Sequence, residues 1–360
     1  MICAPDPAVA PGNPSTIEAP LLASVIISTY NRCDTLAQTL TALAKQDLPH
    51  AQYEVVVIDD GSTDRTSELL SHVRVPYALR SYRLPVNRGI SAGRNAGMIA
   101  AHGQYLILLS DDLLVSENFV SAHVRTLERF PDAWVVGGFS QLEDLRITPF
   151  GRYLDGLEQR FAIARTATQV APNVFDMHAP TARNMSLPRS DIDRVGLFDE
   201  RFLVTCEDQD LAQRASELGI RFLYNGDIHC VHNDRAADLN RYCCFQERGA
   251  IDTVRLCRKY PDIHGGAAIA VVNGSIRRSD SPVLIAKKVL KSLLAQGAAT
   301  AVLEAAIRAA ERAGLDDRVL FTAYRAMIGL YTFRGWRTGL REPTATLQLA
   351  AKAAEDVNPD

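Results

Sequence analysis

The stretch Gln104-Tyr105-Leu106-Ile107-Leu108-Leu109-Ser110-Asp111-Asp112 decides the fold. Leu106 to Leu109 is apolar on both alternating faces, as a central parallel strand covered on two sides requires. The run stops abruptly in two carboxylates. Asp111 and Asp112 then stand at the carboxyl end of the strand, the edge where open α/β sheets bind ligands. Adjacent carboxylates repel each other unless a cation or a hydrogen-bonded ligand offsets the charge. An oxygen-rich site of this kind suits Mg²⁺ or Mn²⁺ carrying a diphosphate. Read by itself, the stretch fits equally a strand that ends in a solvated Asp-Asp turn.

Upstream, Ser24 to Tyr30 reads as a buried first strand, and Asp34 caps a helix to about Gln46 with Leu36, Leu40 and Leu43 on one stripe. Tyr53 to Ile58 is a second strand. It runs into Asp59-Asp60-Gly61-Ser62-Thr63-Asp64, where Asp64 caps the next helix. Strand, glycine-bearing turn and helix form half of a nucleotide-binding unit. Ala78 to Leu84 is a third strand. The glycine-rich Asn87 to Gly97 then opens a helix whose N–H groups suit an anion, with Arg88 and Arg94 at hand. Downstream, Ser116 caps a helix through Phe130, and Trp134 to Phe139 is a further strand. The succession predicts an α/β fold with a doubly wound, mostly parallel sheet.

Gln141 to Asn173 is less regular. Glu207, Asp208 and Asp210 open a helix; they suit its positive end, and Asp208 or Glu207 also suits a general base. Arg221 to Tyr224 and Ile228 to Val231 read as short strands, and His232 closes the second.

The 360 residues, 47% hydrophobic and 22% charged, are those of a globular protein, and a net charge of −3 argues against a general nucleic-acid binder. Seven cysteines without paired spacing read as reduced thiols. The pattern divides into a flexible leader (1–22), an α/β domain (23–240) and a helical C-terminal region (241–360). Helices are expected at 242–260, 283–296, 299–313, 316–334 and 344–355. Ser275 to Arg341 holds twelve Lys and Arg against five Asp and Glu, a net of +7. Its helices fit either a solvated basic face or contact with an anionic membrane surface.

Five segments, in order, resemble the family 2 glycosyltransferases of the GT-A fold: Ser24 to Asn31, Val56 to Asp64, Asn87-Arg-Gly with Gly93 to Gly97, Ser110-Asp-Asp112, and Gly196 to Glu200 followed by Glu207-Asp208. The resemblance implies an inverting hexosyltransferase that moves a sugar from a nucleotide-diphosphate donor, a UDP-sugar first, to an acceptor hydroxyl. It implies that Ser28, with Tyr30 nearby, faces the nucleotide and that Asp60, with Asp59 beside it, binds the base. It places Arg94 at the nucleotide end and Asp111 on the ribose or donor sugar. Asp112 and His232 would serve a divalent cation, Mn²⁺ or Mg²⁺. Asp208 would be the base, with Glu207 next to it. Ser110 departs from the family's Asp-X-Asp motif at its first position. Partners implied are a nucleotide-sugar donor and a glycan, lipid-linked or small-molecule acceptor. The expected location is cytoplasmic, or peripheral at the inner membrane face. The alternatives are a sugar-nucleotide or glycan-binding module without turnover, and a nucleotidyltransferase, which the glycine-free turn after the first strand disfavours.

Overall fold

The computed structural model describes residues 21–178, 180–234, 238–263 and 266–342, so most of the expected leader and the expected helix at 344–355 lie outside the described residues. The chain forms two units. The first comprises residues up to Leu142, Asp155–Leu203 and Glu207–Asp234; the second comprises Glu143–Leu154, Val204–Cys206 and the chain from Arg235.

In the first unit β1 (Ala23–Thr29), α1 (Cys33–Leu43), β2 (Tyr53–Asp59), α2 (Thr66–His72), β3 (Ala78–Arg83), α3 (Ile90–Ala100) and β4 (Tyr105–Leu109) alternate as expected. There follow β5 (Leu113–Val115), α4 (Phe119–Arg129), β6 (Ala133–Gln141), α5 (Pro149–Arg165), β7 (Thr166–Ala171), β8 (Val174–Met177), β9 (Asn184–Pro188), α6 (Asp191–Val195), α7 (Glu207–Glu217) and β10 (Arg221–His232). The sheet order is β3-β2-β1-β4-β9-β6-β10-β8-β7, with β5 beside β10. β1 to β4 pair in parallel, β9 runs antiparallel between β4 and β6, and β10 is parallel to β6. The sheet is thus mixed around a mostly parallel core.

Burial of the sheet on both faces explains the apolar runs. In β4, Tyr105, Ile107 and Leu109 join a core with Leu36, Leu40 and Leu43 of α1 and Phe119 and Val124 of α4. Leu106 and Leu108 point the other way, to Met98 of α3 and Leu211 and Ala215 of α7. Each such side chain stabilises the fold by about 2 kcal/mol. The close approach of α3 to β1 requires glycine: a Cβ on Gly97 would lie 2.3 Å from Ile26 Cγ2, and one on Gly93 would lie 2.0 Å from Ser28 Oγ.

Three local expectations are corrected. Asp34 lies inside the first turn of α1, not at its cap. Asn118, not Ser116, stands at the N-cap of α4, while Ser116 Oγ donates to Asn118 Oδ1. The two short strands at 221–231 are one strand, β10, whose register against β6 shifts between Asn225 and His229. The irregular 141–173 contains α5 and β7.

The second unit is helical, with α8 (Leu239–Lys259), α9 (Gly266–Asn273), α10 (Pro282–Leu294), α11 (Gly297–Arg312) and α12 (Asp317–Arg341); α9 was not among the expected helices. Phe150 and Tyr153 pack on Tyr324 with ring centroids 5.3 and 5.5 Å apart. Gly335 lets α12 lie against α8, since a Cβ there would strike the Glu247 carbonyl oxygen.

Candidate active site

The loops at the carboxyl ends of β1, β2 and β4 meet the end of β10, as an open parallel sheet dictates. Two of these loops are tied together first. Asn31, with φ 53°, turns its Oδ1 to accept from the backbone N–H groups of Thr63 and Asp64. Asp59 accepts from Ser62 N and Ser67 Oγ, so it builds the turn after β2. Both oxygens of Asp60 accept backbone N–H groups, from Arg88 and Gly89, at 2.8 Å each. Burial raises the Asp60 pKa, and these two hydrogen bonds oppose the rise. Ser28 is half-buried beside Gly93, while Tyr30 is exposed.

The acidic cluster centres on Asp112. Asp111 Oδ2 accepts from Thr29 Oγ1 at 2.7 Å, and its carbonyl accepts from Thr39 Oγ1 at 2.8 Å. Asp112 Oδ2 accepts from Arg32 at 2.7 Å and lies 3.3 Å from His232 Nε2. The same guanidinium is 3.7 Å from Asp111 and 3.7 Å from Asp234. His232 Nδ1 is 3.1 Å from Gln141 Nε2, and its Nε2 is 2.9 Å from an Arg183 nitrogen. The tautomer decides whether Nε2 donates to Asp112 or accepts from Arg183; in the second form it carries the lone pair that a metal ligand needs.

Burial, then the charge of Asp112, raises Asp111 to about 7, against the attraction of Arg32. Burial also works against the charge of Asp112. There the hydrogen bond and charge of His232, with Arg183 and Arg32, outweigh it and hold the carboxyl well below the usual range.

Among the described residues, Asp112, His232 and Asp234 bring one ligand atom each within 4.8 Å of one another. The donor set, two carboxylates and an imidazole, suits a divalent cation. Two further observations fit it: Asp112 Oδ1 is buried with no hydrogen-bond partner, and Arg32 already places a cationic group on the carboxylates.

A second cluster joins α3 to α7. Arg94, 5% exposed, donates to Glu207 Oε1 at 2.7 Å, and its guanidinium stacks over the Phe198 ring. Asn95 donates to the Phe198 carbonyl and accepts from its N–H. The segments around Gly93 and Gly196, a hundred residues apart in sequence, are therefore bonded to each other. Glu207 Oε2 is buried without a partner. Burial and the adjacent Asp208 raise Glu207 to about 7, with Arg94 opposing. Asp208 is half-buried, and its Oδ1 accepts from Gln209 N. Cys206, just before, adopts φ 71°, a left-handed conformation uncommon outside glycine.

Asp111, Asp112 and His232 thus come together, and Arg94 meets Glu207. Arg32, Arg183 and Asp234 were not singled out from sequence. Asp234, two residues beyond the strand-ending His232, and Arg32, next to Asn31, carried a positional signal; Arg183 carried none, because only the pairing of β9 with β4 brings it here.

The profile of the Glycosyl transferase family 2 matches residues 24–178. An uncharacterized glycosyltransferase of Bacillus subtilis, YfnE, is 25% identical over 299 residues, which is 70% of this chain and 74% of that protein. Validoxylamine A glucosyltransferase of Streptomyces hygroscopicus subsp. limoneus is 32% identical over 238 residues. That match covers 59% of this chain and 51% of the relative, so the chain aligns with about half of that relative's length. Among solved structures, the mannosyltransferase PcManGT of Pyrobaculum calidifontis, in complex with GDP-Man and Mn²⁺, has a TM-score of 0.52 at 20% identity. The likeness covers 90% of this chain and 88% of that one, and it shows a shared fold.

Proposed function

We propose that the chain is a family 2 glycosyltransferase of the GT-A fold that acts on a nucleotide-sugar donor, a UDP-sugar first, and transfers the sugar with inversion. The observation that carries the reading is the buried Asp111–Asp112 pair, with one Asp112 oxygen unpartnered and a guanidinium against the other.

Asp112, His232 and Asp234 would hold Mn²⁺ or Mg²⁺, and such an ion supplies positive charge to the departing nucleoside diphosphate. Asp111, held by the Thr29 hydroxyl, would meet a ribose or donor-sugar hydroxyl. Asp60 sets the start of α3 and would keep its remaining lone pairs for the base. Arg94 acts at a remove: it is locked to Glu207 and so fixes the start of α7. Asp208, the next residue, would take the proton of the acceptor hydroxyl, a poor nucleophile until a positioned carboxylate does so. Attack from the face opposite the leaving group inverts the anomeric centre. The acceptor is a glycan, a lipid-linked sugar or a small molecule.

Asp208→Asn tests the assignment. The variant should bind the nucleotide sugar as the wild type does and lose transfer by roughly a hundredfold or more. Weakened donor binding with unchanged turnover at saturation would make Asp208 a donor contact instead.

A further inference from the structure

The helix α10 is oriented against its own composition. Its basic residues were expected on a solvated or membrane-facing side, yet Lys288 is 2% exposed and donates to Asp280 at 2.7 Å and to the Ser275 carbonyl at 2.9 Å. Lys291 donates to Asn273 Oδ1 at 3.0 Å and lies over the Phe333 ring. The aliphatic residues point outward instead: Val283, Val289, Leu290, Leu293 and Leu294 are 43 to 64% exposed. The same face carries a shallow groove lined by Pro282, Ile285, Ala286, Val289, Leu290 and Leu293. Ten of the nineteen exposed large apolar residues of the described chain fall between Ile269 and Val302.

A helix in water lowers its free energy by turning leucines inward and lysines outward. One that holds a paired lysine inside and a leucine stripe outside presents that stripe to a second apolar medium. Charge selects the medium. Arg277 and Arg278, shortly before α10 in the chain, and Lys287 on the helix are all exposed. Between Gly274 and Leu303 the sole acidic residue is Asp280, already paired with Lys288. A second copy would bring two net-basic segments together, whereas an anionic lipid surface offers both the apolar layer and the counter-charge. At 13 residues α10 is about 20 Å long, short of the roughly 30 Å hydrocarbon core, so it would lie in the interface and not cross it. No single helix among the described residues is long and apolar enough to cross a membrane.

We propose that the outward face of α10, with Ile276 and the Arg277–Arg278 pair shortly before it in the chain, docks the protein on an anionic membrane surface. The inference does not depend on the donor chemistry.

The test is sedimentation of the full chain with phosphatidylcholine vesicles, with and without phosphatidylglycerol, at low and high salt. The wild type should bind the anionic vesicles and release as salt rises. Leu290→Ser with Leu293→Ser should lower the partition coefficient about tenfold or more, and Arg277→Glu with Arg278→Glu should do the same on anionic vesicles only. Unchanged thermal melting of both variants keeps folding out of the comparison. As an independent reading, Leu290→Trp should show a blue-shifted emission when anionic vesicles are added. Absence of both binding and blue shift overturns the proposal. Equal binding to neutral vesicles overturns the anionic assignment, and a concentration-dependent dimer abolished by the two serine substitutions gives the face to a second copy.

Discussion

Arg32 shows how one side chain tunes the acidic cluster. It lies 2.7 Å from Asp112 and 3.7 Å from both Asp111 and Asp234, so it offsets repulsion that three carboxylates would otherwise suffer. A divalent cation at the same carboxylates competes with it. Arg32→Ala should therefore tighten Mn²⁺ binding, by on the order of tenfold, in a titration without nucleotide; unchanged or weaker binding would show that Arg32 supports the ligands and does not oppose the ion. Glu207 gives a pH signature. Its carboxyl is raised from the ordinary 4.5 to about 7, chiefly by burial and then by Asp208, so folding takes up a proton between those values. Its cost to stability therefore grows as pH rises through that window and is constant above it. Glu207→Gln keeps an acceptor for Arg94 and removes the titration. Its melting temperature should fall less steeply than that of the wild type between about pH 5 and 8. Parallel profiles would show that Glu207 stays ionised beside Arg94.

At the scale of the element, the glycines of α3 set how near the helix lies to β1. A Cβ at Gly97 would press on Ile26 Cγ2 at 2.3 Å, and Ile26, a β-branched core residue 1% exposed, has little room to turn. Gly97→Ala should cost about 1–3 kcal/mol in denaturant unfolding, and an unchanged midpoint would mean that α3 can slide. The elements legible in the sequence were those with one dominant signal. β4 is a buried apolar run with a sharp polar end, and α3 announces itself by small residues. β10 was split because Asn225-Gly226-Asp227 reads as a turn, although in the sheet it is an irregularity within one strand. α5 was obscured by Gly151 and Gly156 and by its mixed charges. Within the site, the strand-end residues Asp111, Asp112 and His232 were legible from position alone. The partner Arg183 was not, because sequence spacing carries no information on which loops converge; Arg32, next to Asn31, stood at a strand end and was passed over.

At the scale of the whole molecule, the two units follow different rules. The first is a sheet buried on both faces whose loops gather carboxylates at one edge, as its strand order requires. The second is helical, and its aromatic core draws on Phe150 and Tyr153 from far upstream, a pairing that periodicity along the chain does not reveal. Its α10 was legible as a helix, but not the burial of Lys288 on its inner side, because composition counts lysines without saying which way they turn. The central claim is that the first unit binds a nucleoside diphosphate through a cation held at Asp112. It is tested most directly by the thermal shift of the wild type and of Asp112→Asn with UDP, GDP, dTDP and CDP, each with Mn²⁺ and with EDTA. A ligand that binds the native state raises its apparent stability by mass action. The account predicts a shift with one nucleotide, UDP first, that requires Mn²⁺ and vanishes in Asp112→Asn. A shift that persists in EDTA or in the variant, or no shift with any nucleotide in the folded wild type, would contradict it.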